Sequence, residues 1–381
     1  MNLVRIGVVG MGGMGYAHCK NVTNLENARL TCVCDNEESV VKEKAQEFGV
    51  KAFTDYKEMI TSGLCDAIIV AIPHWFHPDV SIYAFQNGLH VLSEKPIAVT
   101  VADADRMIKA AKEHRRIFSV MLQKRTDSRF KKALELIHSG QLGEVTRTLC
   151  IDSWYRTQAY YDSNIWRATW KGEGAGVLIN QAPHIIDIFM LLGGLPNKIE
   201  AKIRTRYHQI EVENEVQALL EYKNGACGYY YTATFEPQQG HYIEICGEKG
   251  KLTFSQQEVK FFRYSRSIPE HIVSAKDMWA SLEVKEEKID IEESPHKPHL
   301  EIIRNFVSAI LTGEKLISPG EEGIYSVEFG NACILSGMKH KPVTLPIDRQ
   351  EYTELIEELK KNSKPKTHVR IQRATDPQYR K

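Results

Sequence analysis

The stretch VRIGVVGMGGMG, from Val4 to Gly15, decides the first half of the fold. A valine-rich apolar run ends in Gly10, Gly12 and Gly15, which have the spacing G-x-G-x-x-G, and a helical pattern follows. The first glycine permits a tight turn, the second lets a pyrophosphate approach the main chain, and the third lets a helix pack closely on the strand. The N-terminus of that helix then offers unpaired N–H groups to phosphates. The stretch therefore predicts a strand, a dinucleotide-binding turn and a helix.

Strand and helix patterns alternate through the first third of the chain. Short apolar runs such as RLTCVCD, DAIIVAIP, LHVLSEKP and IFSVMLQ end at Gly, Asp or Pro or soon after, and helical patterns such as ESVVKEKAQEF lie between them. Such alternation predicts an α/β fold, in which helices cover both faces of a doubly wound parallel sheet. We expect this Rossmann domain to span residues 1–125.

The pattern changes after about Arg125. One helix is predicted at SRFKKALELIHSG, and longer strands follow, among them EVTRTLCIDSWYR, KIEAKIRTRY and HYIEICGEKGKLTFS. Asn224-Gly225 is a strong hairpin signal between two further strands. These patterns predict an α+β domain with a large, open, mostly antiparallel sheet over residues 126–365. A basic C-terminal extension is expected over residues 366–381.

The composition limits the class of partner. Among 381 residues, 49 are Lys or Arg and 49 are Asp or Glu, so the chain has no net charge. This balance, without a basic stripe, argues against nucleic acid or an anionic membrane as the main partner and favours a small molecule. Scattered cysteines in apolar stretches, with no apolar run of membrane-spanning length, predict a cytoplasmic protein.

The end of the second predicted strand indicates which dinucleotide binds. Asp35 follows RLTCVC, twenty residues after Gly15 (35 − 15), where a carboxylate can accept hydrogen bonds from the adenosine ribose. The same carboxylate would repel the 2′-phosphate of NADP, and no arginine follows it to bind that phosphate. NAD is therefore the predicted cofactor, although Asp35 can also be read as the cap of the next helix.

The motif SEKPIAV places a lysine at the carboxyl end of a predicted parallel strand, where ligands bind in open α/β sheets. Pro96 makes the turn rigid and so holds Glu94 and Lys95 in place. A lysine beside the nicotinamide can hydrogen-bond a substrate hydroxyl and stabilise developing alkoxide charge. A surface Glu-Lys pair next to a turn explains the same residues equally well.

Together these motifs resemble the glucose–fructose oxidoreductase, inositol dehydrogenase and rhizopine catabolism (Gfo/Idh/MocA) family, over nearly the whole chain. The matching segments are GMGGMG (10–15), Asp35, IPHWFHPD (72–79), EKP (94–96), IWRATW (165–170), GEGAGVLINQAPHIID (172–187) and ISPGEEGIYSVE (317–328). The resemblance implies NAD(P)-dependent oxidation or reduction of sugars, inositols and related polyols. It also implies an open second sheet that often forms oligomers, here a homodimer or homotetramer.

The resemblance also assigns residues. The family lysine corresponds to Lys95, and the acid or amide and the histidine of the second domain correspond to Asn180 and His184. The expected cofactor-binding residues are Gly10, Gly12, Gly13, Met14, Gly15, Asp35, Asn36, Ile72, Pro73, His74, His77, Glu94, Lys95, Gln123, Trp166 and Arg167. Sugar recognition is expected from Lys95, Tyr155, Arg156, Tyr160, Tyr161, Trp166, Asn180 and His184, although a packed aromatic loop has the same composition.

The stretch LINQAPHIID predicts a helix that begins at Pro183, with His184 in its first turn and Asn180 on the incoming loop. The helix dipole disfavours an imidazolium there, and a neutral imidazole can accept a hydroxyl proton as general base. The alternative is a core or capping histidine. Asp187, one turn on, either orients the ring or forms a helix salt bridge.

Asn180 departs from the aspartate that many family members carry at this position. An amide cannot take a proton, so we expect the proton to go to His184 or to neutral Lys95. No metal is predicted, because the pairs His74 with His77 and His296 with His299 lack a third ligand.

Three functions compete. The leading hypothesis is an NAD-dependent dehydrogenase that acts on a secondary hydroxyl of a sugar, glycoside or inositol. The alternatives are a glycoside hydrolase that oxidises C3 transiently and forms no net NADH, and a non-catalytic NAD-sensing protein.

Overall fold

The computed structural model describes residues 3–293, 297–364 and 366. His296 and nearly all of the predicted C-terminal extension lie outside these residues. The described chain forms two sheets with helices packed against them.

The first sheet has six parallel strands in the order β3-β2-β1-β4-β5-β6. Its strands are β1 (Val4–Val9), β2 (Ala28–Cys34), β3 (Lys51–Phe53), β4 (Ala67–Val70), β5 (His90–Ser93) and β6 (Phe118–Val120). The intervening helices are α1 (Gly13–Thr23), α2 (Glu38–Phe48), α3 (Tyr56–Thr61), α4 (His77–Gln86) and α5 (Val101–Glu113). The predicted doubly wound Rossmann sheet is confirmed. The strand order reverses between β1 and β4, which opens a crevice at the carboxyl ends of the strands.

The second sheet has nine strands in the order β14-β13-β12-β11-β7-β10-β9-β8-β15. Its strands are β7 (Val145–Tyr155), β8 (Lys198–Arg204), β9 (Glu215–Glu221), β10 (Cys227–Ala233), β11 (Phe235–Gly247), β12 (Gly250–Ser255), β13 (Val259–Tyr264), β14 (Val284–Glu287) and β15 (Val343–Thr344). The pairing of β7 with β10 is parallel and the other pairings are antiparallel, so the predicted mostly antiparallel sheet is confirmed.

The predicted Asn224-Gly225 hairpin joins β9 to β10. Gly225 has a φ of 87°, a conformation that favours glycine, and the side chain of Asn224 accepts a hydrogen bond from the N–H of Ala226. The turn sets the register in which Glu221 pairs with Cys227.

The remaining helices are α6 (Ser128–His138), α7 (Gln158–Asp162), α8 (Val177–Asn180), α9 (Pro183–Gly193), α10 (Ile268–Ser274), α11 (Pro298–Thr312), α12 (Gly320–Lys339) and α13 (Arg349–Asn362). Helices α6, α9 and α12 cover one face of the second sheet. Across the described residues, no helix combines the length and apolar character needed to cross a membrane.

Helix α11 joins the two halves of the chain. Its residues Ile302 and Phe306 belong to the same apolar cluster as Ile6 of β1 and Val22 of α1. A segment beyond residue 125 therefore completes one face of the Rossmann sheet. Helix α11 thus belongs by sequence to the part of the chain after residue 125 and packs on the sheet that comes before it.

Candidate functional site

A cleft of about 570 Å³ lies at the carboxyl ends of the first sheet and extends to the second domain. Segments that follow β1, β2, β3, β4 and β5 all contribute to it. Of the residues predicted from the sequence, those that line the cleft are Gly10, Gly12, Gly13, Met14, Asp35, Asn36, Ile72, Pro73, His74, Glu94, Lys95, Trp166, Arg167 and Asn180. The structure therefore brings both halves of the predicted site together.

The glycine turn has the shape that a pyrophosphate requires. Gly10 has a φ of 93°, and a Cβ on Gly15 would lie 1.7 Å from the Gly10 carbonyl oxygen, so both positions exclude other residues. A Cβ on Gly12 would meet no protein atom within 4 Å, because Gly12 faces the cleft. Helix α1 begins at Gly13 and directs its N–H groups to this space. The turn thus fits the diphosphate of a dinucleotide.

Asp35 is held at the adenosine end of the cleft. Its carboxylate accepts hydrogen bonds from the N–H of Met11 (2.7 Å) and the N–H of Glu37 (3.0 Å), so it fixes the glycine turn, while the N-cap of α2 is Glu37 and not Asp35. Among the described residues that line the cleft, the only lysine and arginine are Lys95 and Arg167. Lys95 and Arg167 lie on the same side of the cleft as Asn180, so no lysine or arginine of the cleft lining lies beside Asp35.

The IPHWFHPD turn places one histidine in the cleft and the other behind it. His74 lines the cleft and contacts the edge of Trp166, with ring centroids 5.6 Å apart. His77 is fully buried, and its ring nitrogens lie 2.9 Å from the Pro96 oxygen and 2.8 Å from the Ile72 oxygen. His77, predicted to approach the cofactor, instead connects two turns that line the cleft.

Glu94 and Lys95 form the centre of a buried charged group. Burial alone would raise the pKa of Glu94, but the hydrogen bond from His18 (2.6 Å) and nearby positive charge lower that pKa to about 2. Lys95 donates from its main chain to Glu94 (3.2 Å) and from Nζ to the main-chain oxygen of Asn180 (2.8 Å). Burial lowers the pKa of Lys95, and Glu94 opposes this effect. Sequence patterns gave no signal for His18, because it lies on an ordinary turn of α1.

Helix α9 begins at Pro183, as predicted, and ends at Gly193, and Gly194 follows with a φ of 79°. His184 lies in its first turn with 8% of its surface exposed. Burial, and then the charge of Lys95, hold the pKa of His184 well below its usual value, so the ring is neutral near pH 7. Its Nδ1 atom is buried and makes no hydrogen bond to another described residue. His184 does not itself line the cleft, whereas Lys95 does.

Asp187 does not orient that ring. Its carboxylate binds Arg125 through two hydrogen bonds of 2.6 and 2.8 Å, and both side chains are buried. This salt bridge connects α9 to the 3₁₀ turn over residues 123–126 rather than to another residue of α9. Of the two roles considered for Asp187, the salt bridge is the one in the structure.

Asn180 ends the short helix α8 and is not on a loop as predicted. The buried carboxylate of Glu213 accepts hydrogen bonds from the N–H groups of Gly176 (2.8 Å) and Leu178 (3.1 Å), which satisfies the first turn of α8. Glu213 lies 33 positions beyond Asn180 (213 − 180), and no local pattern in the sequence connects the two.

The aromatic segment before α8 has mixed roles. The hydroxyl of Tyr160 accepts hydrogen bonds from Arg167 and from Gln181 (3.1 Å), so Tyr160 adjoins the cleft. Tyr161 is buried, and its hydroxyl bonds to Thr234 (2.7 Å), which agrees with the packed alternative. Tyr155 is exposed and Arg156 is half-buried beside this segment. Together with Gly15, His77, Gln123, Tyr160, Tyr161 and His184, they do not line the cleft.

Comparison with protein families identifies both domains. Residues 4–122 match the model described as "Oxidoreductase family, NAD-binding Rossmann fold", and residues 130–253 match the "GFO/IDH/MocA C-terminal domain". The chain belongs to the Gfo/Idh/MocA family. This family member is an oxidoreductase whose cofactor is NAD.

Individual relatives agree with this placement. The scyllo-inositol 2-dehydrogenase (NAD(+)) of Bacillus subtilis is 26% identical over 91% of this chain and 97% of that enzyme. The myo-inositol 2-dehydrogenase of Thermotoga maritima is 33% identical, but over only 37% of this chain and 42% of that enzyme. The WlbA dehydrogenase of Bordetella pertussis, solved with NADH and UDP-GlcNAcA, is 26% identical with a TM-score of 0.76, over 91% of this chain and all of that one.

Proposed function

We propose that this Gfo/Idh/MocA enzyme oxidises a secondary hydroxyl of a sugar, glycoside or inositol with NAD as hydride acceptor, and that the reaction is reversible. The observation that carries the proposal is the contact between Lys95 and the main-chain oxygen of Asn180, at the end of the cleft away from Asp35. There the lysine of the Rossmann domain meets the second-domain segment that contains His184. A relative named as an inositol dehydrogenase and a dehydrogenase solved with a bound sugar nucleotide support the substrate class.

The residues of the chain have distinct roles in the proposed oxidation. When bound, NAD supplies a hydride acceptor, which receives the hydrogen of the carbinol carbon together with the two electrons of the C–H bond. Lys95 donates a hydrogen bond to the reacting oxygen and stabilises negative charge on it as the proton departs. His184, held neutral by burial, takes that proton as general base. Since burial also lowers the pKa of Lys95, the lysine in its neutral form is the second route for the proton.

We propose that the adenosine ribose binds to Asp35 and Asn36, and that the diphosphate binds to Gly12, Gly13 and Met14 at the start of α1. Trp166 and Arg167 complete the nicotinamide end of the cleft. Tyr160 contributes to sugar binding through its hydroxyl, because Arg167 and Gln181 donate to the two lone pairs of its oxygen and leave its own proton for a ligand.

The direct test measures NADH absorbance with a panel of sugars, inositols and glycosides, together with analysis of released aglycone. We expect NADH to accumulate with at least one polyol, and His184→Ala to lower the rate by about 10²- to 10⁴-fold, the range for loss of a general base. Aglycone release without net NADH would support the hydrolase alternative, which an oxidoreductase family match does not favour. Full biological effect in a Lys95→Ala, His184→Ala variant would support an NAD-sensing protein.

We further propose that a second copy of the chain covers the open face of the second sheet. This face exposes Ile151 (37%), Leu219 (59%) and Tyr242 (37%), and Ile151 pairs directly with Tyr242 across two strands. Exposed apolar surface of this kind marks an interaction site. Light scattering should give a dimer or tetramer, which Leu219→Lys weakens. Glu43→Lys, on α2 of the Rossmann domain with a side chain 72% exposed, serves as the control.

A further inference from the structure

A buried carboxylate, Glu173, contacts the residue whose amide departs from the family pattern. The Nδ2 atom of Asn180 donates a hydrogen bond to Oε1 of Glu173, and it lies 3.4 Å from the hydroxyl oxygen of Tyr160. Glu173 has 1% of its surface exposed. Sequence reasoning placed Glu173 within a family motif but gave it no role.

The other contacts of Glu173 favour its ionised form. Its Oε2 atom accepts a hydrogen bond from the N–H of Ala168 (2.6 Å), and Nη1 of Arg167 lies 3.7 Å from its Oε1 atom. Burial raises the pKa of Glu173, while Arg167, Ala168 and Asn180 oppose that rise. An ionised carboxylate can only accept hydrogen bonds, so the Asn180 amide must turn its NH2 group toward Glu173.

This arrangement fixes the polarity of Asn180. The two N–H bonds of its amide face Glu173 and Tyr160, and within the described chain its Oδ1 atom accepts no hydrogen bond from a protein donor. Because Asn180 lines the cleft, Oδ1 is the atom that remains for a ligand. An aspartate at this position would present an oxygen in the same way, with the negative charge on residue 180 itself.

We propose that Glu173 is a positioning residue that fixes Asn180 as a hydrogen-bond acceptor, so that the enzyme selects substrates with a hydroxyl donor beside the carbon that is oxidised. The proposal rests on the proposed dehydrogenase function and deepens its substrate class. The reacting hydroxyl gives its proton to His184, so it is a neighbouring hydroxyl that donates to Oδ1 of Asn180. Lys95 binds the main chain of Asn180, which keeps the two substrate hydroxyls close together.

The N–H of Ala168 makes the substitution Glu173→Gln informative. That N–H needs an acceptor, so the introduced glutamine side chain turns its oxygen to Ala168 and its NH2 group to Asn180. Asn180 must then reverse its amide and present a donor to the cleft. Adding Asn180→Asp restores the original polarity, because the introduced aspartate accepts from that NH2 group with one oxygen and faces the cleft with the other.

The experiment compares the wild type, Glu173→Gln, Asn180→Asp and the double variant, with Glu135→Gln on the outer surface of α6 as control. Each protein is assayed with the best substrate of the panel and with its analogue that lacks the neighbouring hydroxyl. We expect kcat/KM of Glu173→Gln for the full substrate to fall by about 10- to 100-fold, since a donor then faces a donor. The preference for the full substrate over the analogue should also fall toward unity. In the double variant, kcat/KM for the full substrate and the preference over the analogue should both return to within about fivefold of the wild-type values.

Failure of the double variant to regain the preference, or an unchanged preference in Glu173→Gln, would overturn the proposal. A readout without substrate separates this outcome from failure of the dehydrogenase function itself. Asn180→Asp alone places a second carboxylate against the buried carboxylate of Glu173, so one of the two must hold a proton in the folded state. Its melting temperature should therefore fall further below that of the wild type at pH 8 than at pH 6, and the double variant should lack this difference. If the deficit of Asn180→Asp does not depend on pH, the contact with Glu173 is wrong, whatever the substrate.

Discussion

Replacing Arg125 with methionine should produce a large loss of stability that depends on pH. Arg125 binds Asp187 through two hydrogen bonds, and the two side chains are 2% and 1% exposed. Methionine keeps much of the volume but removes the cation, which leaves a carboxylate buried without its partner. Breaking a buried pair in this way costs about 3–5 kcal/mol. We therefore expect Arg125→Met to lower the free energy of unfolding by that amount near pH 7–8.

The sign of the pH dependence follows from Asp187. Burial already raises the pKa of Asp187 and Arg125 opposes this rise, so removal of Arg125 raises the pKa further. A folded-state pKa above the unfolded value, about 3.9, means that stability is retained below that value and lost as the pH rises. The deficit of Arg125→Met should therefore be smaller at pH 5 than at pH 8.

Urea unfolding at pH 5, 7 and 8 measures this effect. The double variant Arg125→Met, Asp187→Leu removes both buried charges. Glu322, the other carboxylate that pairs with Arg125, is 35% exposed and can be solvated, so the double variant should regain at least half of the loss and show little dependence on pH. Glu135→Ala, which breaks a surface pair with Lys132, should change the free energy of unfolding by less than about 0.5 kcal/mol. A loss below about 1 kcal/mol at pH 8, or equal losses at pH 5 and pH 8, would refute the reasoning.

Three further predictions concern the cleft. The fall of kcat/KM for oxidation at low pH should have its midpoint below pH 6.5, because burial and Lys95 lower the pKa of His184. A midpoint above pH 7 would contradict a neutral ring. Gly12→Ala should weaken NADH binding at least about tenfold in a fluorescence titration without changing the melting temperature. Gly15→Ala should instead lower the melting temperature, because its Cβ would lie 1.7 Å from a carbonyl oxygen. Asp35→Ala should lower affinity for NAD by about 10- to 100-fold and reduce the preference over NADP, and an unchanged preference would remove Asp35 from ribose recognition.

Much of the Rossmann half follows from local sequence. Parallel strands buried on both faces read as continuous apolar runs, and β4, with the sequence AIIV, is buried at every position. The glycine spacing then locates the turn before α1, because the local geometry at Gly10 and Gly15 requires a residue without a Cβ. The helix that begins at Pro183 could also be predicted from the sequence, since a proline start and a glycine end are local signals.

Helix α12 shows where local signals fail. It was not predicted as a helix, because most of its residues are buried and a helix enclosed on all sides lacks an amphipathic period. The packing of α11 on the Rossmann sheet was missed for another reason. Nothing in an amphipathic pattern identifies which of two sheets its apolar face will meet.

The sequence by itself determined the two fold types, the dinucleotide turn, the cofactor and many of the residues that line the cleft. Only the tertiary structure decided how those residues are used. His77 and Asp187 serve neighbouring segments rather than the cleft itself, while His18, Glu173 and Glu213 support the cleft from distant positions. The physical reason is the burial of charge: a carboxylate or imidazole away from water must find partners, and those partners come from wherever the fold brings the chain together.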